Sequence, residues 1–68
     1  MSNLEQYYGK NVIITDNDGI IYKGYVGFYE SASNNDNGED SIAIFSNPEA
    51  KEGFELYESE IVKIEVVE

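Results

Sequence analysis

The groups in this chain able to do acid–base chemistry are almost all carboxylates. Fourteen acidic residues stand against four lysines (Lys10, Lys23, Lys51 and Lys63), with no histidine and no cysteine. Proton transfer would fall to Asp, Glu, Lys or Tyr, and a catalytic carboxylate needs surroundings that shift its pKa. The acid pairs Glu39 with Asp40 and Glu58 with Glu60 carry no mark of such a pocket, and they read as solvated loop and turn residues. The tracts DNDG (16–19) and NNDNGED (34–40) hold oxygen donors. Neither has the alternating ligand order closed by a glutamate that calcium loops use, so turn formation explains them. The expectation is a protein that is not an enzyme and has no cofactor and no metal site.

The net charge of −10 bears on partners. Nucleic-acid binding draws much of its affinity from cations that replace counterions on phosphates, and an acidic surface lacks that contribution. The charge suits solubility, and it would attract a basic protein partner. Six tyrosines admit two roles, packing within the fold or presenting an aromatic surface to a partner. With no cysteine, a 68-residue chain has no disulfide to support a small core, so a single domain with slim stability is expected. No apolar run is long enough for a membrane-spanning helix and no signal peptide is evident, so a cytoplasmic, membrane-free protein is expected.

The elements that would position these groups follow from local pattern. Ser2 and Glu5 have capping-box spacing and Gly9 suits a left-handed cap, which predicts an N-terminal α-helix over about residues 3 to 8 with Leu4 and Tyr8 on one face. Tyr7 and Tyr8 should split, one inward and one outward. Residues 10–16 alternate as a strand, with Val12 and Ile14 on one face and Ile13 and Thr15 on the other. DNDG then makes a tight hairpin turn. A second strand runs from Ile20 to about Ser31, with Ile20, Tyr22, Val26 and Phe28 on one face and Ile21, Tyr25 and Tyr29 on the other. Gly24 and Gly27 interrupt it, which predicts a sharp bend that lets one sheet curl on itself.

A polar loop over 31–40, expected to be mobile, leads to a third strand at 41–46 with Ile42 and Ile44 on one face. After a loop around Pro48 come a fourth strand at 54–57, a tight turn at ESE, and a fifth strand from 61. Ile64 and Val66 share one face of that strand, and Lys63 and Glu65 the other. The fold class expected is mainly β: a small barrel of five strongly bent antiparallel strands with a short N-terminal α-helix, spanning 1–68 as one domain.

The segments GKNVIITDNDGIIYKGYVGFYE and EIVKIEVV, with the spacing Gly9, Gly19, Gly24, resemble the Sm-like family of small barrels over most of the chain. The resemblance implies a helix followed by a bent five-stranded antiparallel sheet, and subunits joined fourth strand to fifth into a homo-oligomeric ring. In such a ring Phe54, Tyr57 and Val62, with Tyr25 and Tyr29 on the bent strand, are the interface candidates. RNA binding is the family's commonest task, and the positions matching its RNA-contacting residues are Glu30, Ala32, Asn34, Tyr57 and Glu58. Of these only Asn34 keeps the usual residue type. Ala32 has no surface on which a base can stack, and Glu58 brings a carboxylate where a basic neighbourhood is usual. The leading expectation is therefore a non-catalytic module acting through self-association and protein binding. The alternatives are an RNA-binding ring and an acidic decoy of nucleic acid that occupies a basic protein.

Overall fold

The computed structural model describes residues 4–67, so the expected Ser2 cap and residue 3 lie outside the described residues. The chain forms β1 (Asn11–Asp16), β2 (Ile21–Glu30), β3 (Ser41–Phe45), β4 (Gly53–Tyr57) and β5 (Ile61–Val67). They make one antiparallel sheet in the order β4-β3-β2-β1-β5. Sequential strands are neighbours except β5, which returns to β1. The Cα radius of gyration, 11.0 Å, matches the roughly 11 Å of a compact chain of this length.

Period-two patterning decides which face is buried. Val12 and Ile14 of β1, Val26 of β2, Ile42 and Ile44 of β3 and Leu56 of β4 turn inward and form the core with Leu4. Ile64 and Val66 stand opposite Ile14 and Val12 and so share the core face, as the alternation predicted. Val66 nevertheless remains 45% exposed, because β5 is an edge strand. The sheet is open: β4 and β5 are its two edges. A groove of about 410 Å³ opens where Ser46, just past β3, faces Val67 of β5, with Val12 and Gly24 beside them.

Two glycines let β2 serve both halves of the sheet. A Cβ on Gly24 would lie 2.6 Å from the backbone carbonyl oxygen of Phe45, so only glycine admits the close approach of β3 at this point. At Gly27 the pairing with β3 slips: Val26 stands opposite Ile44 but Phe28 opposite Ala43, leaving Gly27 as the extra residue of a bulge. A one-residue slip exchanges the faces of everything beyond it. Phe28, expected on the face of Val26, therefore points outward at 49% exposure, while Tyr29 turns in against the core. The ring of Phe45 lies over Gly27 and Gly53 on the outer side and covers the surface these glycines leave bare. On the inner side Tyr22 of β2 stacks with Phe54 of β4, ring centroids 4.9 Å apart.

The N-terminal segment corrects a second expectation. Leu4–Tyr7 is a 3-10 helix rather than an α-helix over 3–8. With three residues per turn, positions i and i+3 align. Leu4 is thus buried with Tyr7 packed beside it, while Tyr8, expected to share Leu4's face, is 60% exposed. The expected split of Tyr7 and Tyr8 is observed. Gly9, at φ +80°, ends the segment in the left-handed region, and its N–H donates to the carbonyl of Val26.

Because the atom facing Gly24 is backbone, it cannot move aside as a flexible side chain does. Gly24→Ala is expected to destabilise the fold by about 1–3 kcal/mol, the usual range for overpacking. Gly38→Ala, at φ +73° but with open space around it, should cost about 1–2 kcal/mol, from the left-handed backbone alone. Urea midpoints of the two variants test the ranking, and an unchanged Gly24→Ala midpoint rejects the close-approach account.

Candidate functional site

Two aspartates organise the chain's polar chemistry. Asp16 ends β1 and is 7% exposed. Its Oδ1 accepts hydrogen bonds from the backbone N–H of Asp18 and of Ile20, both at 2.9 Å, and its Oδ2 accepts the hydroxyl of Tyr22 at 2.9 Å. Gly19, at φ +83°, completes the turn by donating to the Asp16 carbonyl. The DNDG tract is thus a hairpin turn built around its first carboxylate. Burial pushes that carboxyl upward, but the Ile20 N–H, the Tyr22 hydroxyl and the Asp18 and Gly19 N–H groups outweigh it and hold it below its ordinary value of 3.8.

Asp40 plays the same part at the other end of the sheet. Its Oδ1 accepts the backbone N–H of Ala32 at 2.7 Å, its Oδ2 the hydroxyl of Tyr29 at 3.0 Å, and its carbonyl the N–H of Glu58 at 2.9 Å. Beside it, Asn35 donates to the carbonyl of Glu39 and to Oγ of Ser41, and that hydroxyl donates in turn to Glu55. Ser41 is fully buried and satisfied by these bonds. Glu39 accepts the N–H of Ser59 at 2.9 Å and Glu60 the N–H of Tyr57 at 2.8 Å. The loop expected to be mobile is therefore anchored at both ends and pinned to the turn between β4 and β5.

The positions matched by resemblance to RNA-contacting residues gather around this hub. Glu30 closes β2, Ala32 and Asn34 lie in the 3-10 turn Ala32–Asn34, and Tyr57 and Glu58 stand where β4 passes into the 3-10 turn Glu58–Glu60. The environment they share is acidic. The charges of Glu55, first, and then of Glu60 and Asp36 reach the Tyr57 hydroxyl and raise it above its ordinary value of 10.0. A phosphate brought to this end of the sheet meets carboxylates first.

The interface candidates are spread more widely. Tyr25 is on the outer face, paired with Phe45, whereas Tyr29 faces inward; the Gly27 bulge separates two tyrosines expected on one face. Phe54 is 49% exposed on β4, and Val62 is 69% exposed at a register shift in the β1–β5 pairing. A further surface escaped sequence reasoning. Glu5, Tyr8, Phe28 and Tyr29 line a groove of about 450 Å³ between the N-terminal 3-10 helix and β2. Of these four only Tyr29 was an interface candidate, because the bulge that brings Phe28 outward is not visible as a phase change in the sequence. Among the described residues no group of acidic side chains is arranged to hold a metal ion. No helix among them is long and apolar enough to cross a membrane.

Opposite shifts at the two ends of the pH scale bound the stability. A carboxyl held low in the folded chain, as at Asp16, stabilises the fold above its ordinary value, and that contribution disappears as pH falls through it. Tyr22 is raised mainly by its bond to Asp16, Tyr29 by burial and then by Asp40, and Tyr57 by the charge of Glu55. A raised phenol stabilises below its ordinary value, and the contribution is lost as pH rises past 10.0. Urea midpoints followed across pH should therefore fall below about pH 4 and again above about pH 10. Asp16→Asn should flatten part of the acid limb, and an unchanged acid limb in that variant removes Asp16 from the account. No protein-family model matches the chain, and no curated protein or solved structure matches it.

Proposed function

We propose that this chain is a divergent Sm-like small-barrel module, without catalytic activity, that works by associating with copies of itself and with other proteins. The observation that carries the reading is the strand order. β4 and β5 each have one neighbour in the sheet, so each leaves a row of backbone N–H and C=O groups on its outer side. A second copy that sets its β5 beside β4 satisfies both rows at once, and a head-to-tail contact of this kind closes into a ring when the rotation allows. Exposed Phe54 and Val62 lie on these two strands and supply apolar area to the seam. The short N-terminal helical turn, the close approach of β3 at Gly24 and the return of β5 to β1 support the Sm-like assignment.

An RNA-binding ring is the second reading. It is disfavoured by the carboxylates of Asp36, Asp40, Glu55 and Glu60 around the corresponding positions. Titration with U-rich and A-rich oligonucleotides at low salt separates the two, with no binding expected.

Self-association makes a distinct prediction because each copy carries ten net negative charges. Salt screens that repulsion, over about 10 Å at 0.1 M, so assembly should strengthen as ionic strength rises. Light scattering on a sizing column should report a mass several times the 7.7 kDa of one chain, and Val62→Glu should shift it toward the monomer. A strict monomer at high protein and salt concentration rejects the self-association.

A further inference from the structure

The groove between the N-terminal 3-10 helix and β2 has an uncommon lining: three aromatic side chains, Tyr8, Phe28 and Tyr29, and one carboxylate, Glu5. Tyr8 and Phe28 leave 60% and 49% of their surface to solvent. Tyr29 is held in place by its hydroxyl, which donates to Asp40 at 3.0 Å. A second carboxylate thus stands behind the groove. The charge of Glu5 also reaches the Tyr29 hydroxyl.

Aromatic faces carry the negative part of a quadrupole and attract cations placed over them. A purely apolar occupant would desolvate Glu5 without a counter-charge, and an anion would be repelled by it. A long side chain with an apolar stem and a cationic head matches both parts of the lining. We propose that this groove receives a lysine or arginine side chain from a basic segment of a partner protein, its head over the rings of Tyr8 and Phe28 and beside Glu5. The chain's net charge of −10 draws such a segment toward the surface. The inference rests on the protein-binding part of the proposed function and is independent of the ring, whose existence is read separately from the mass in solution.

The test is an amide chemical-shift titration of the full chain with a capped alternating lysine–glycine peptide, its arginine counterpart and a norleucine–glycine control. Shifts from the cationic peptides should concentrate at Glu5, Tyr8, Phe28 and Tyr29, and the norleucine peptide should leave these amides unmoved. Tyr8→Ala and Phe28→Ala should each weaken binding about two- to five-fold, the size of one solvent-exposed cation–π contact. Both residues are exposed, so thermal unfolding should stay at the parent value and confirm that the variants fold. Glu5→Gln should weaken binding and reduce its salt dependence, while Glu49→Gln, in the loop before β4, should not. Equal weakening by Glu5→Gln and Glu49→Gln would mean general attraction to an acidic surface and would overturn the proposal. Equal binding of the norleucine peptide, or no shift with either cationic peptide, would overturn it as well.

Discussion

The passage of β2 against the backbone of Phe45 at Gly24 is the constraint from which the rest of the architecture follows. A side chain there would meet a carbonyl oxygen at 2.6 Å, so the approach of β3 needs a residue without one. The first half of β2 pairs with β1 and the second with β3, and the bulge at Gly27 adds local twist in that second half. One strand thereby lines the core from two directions. Tyr22 reaches Phe54 on the first side, and Tyr29 reaches the core and Asp40 on the second. Without both devices, five short strands would make a flatter sheet with less of its apolar face covered.

Polar chemistry completes what the apolar core is too small to do alone. A chain of this size buries a modest share of its surface, and its turns need fixed acceptors for their N–H groups. Asp16 and Asp40 supply these at opposite ends of the sheet, and each also receives a tyrosine hydroxyl from β2. Each pair fixes a turn and a strand side chain with one carboxylate. The arrangement links β2, the loop over 31–40 and the turn before β5 into one structure. The exposed pair Lys63 and Glu65, 3.5 Å apart, adds little by comparison.

How far these features can be read from the residues differs by element. The core faces of β1 and β3 are plain in the alternation of Val12 with Ile14 and Ile42 with Ile44, because both strands are short and the extra residue at each slip in their pairing lies on the partner strand. That the glycines interrupt β2 was legible, and Gly27 is the extra residue of a bulge, but the direction of every side chain after it was not. A bulge is a pairing event between two strands and leaves no trace in the periodicity of one. The choice of a 3-10 helix over an α-helix moved Tyr8 outward for a similar reason: tertiary contact with the core set the winding. Asp40 looked like any other acid in a polar loop, since its partners Tyr29, Ala32 and Glu58 are distant in the chain. The aromatic groove was hidden twice over, needing both the bulge and the tighter helix before Phe28 and Tyr8 could lie beside Glu5.

The acceptors at the turns also decide which of this molecule's charges can be changed. Asp16, Glu39, Asp40 and Glu60 each take a backbone N–H through the side chain. Surface acids such as Glu49 or Glu65 can be exchanged without touching the framework, whereas these four cannot. A redesign aimed at a balanced isoelectric point has to draw on the surface acids and leave the carboxylates within the turns in place.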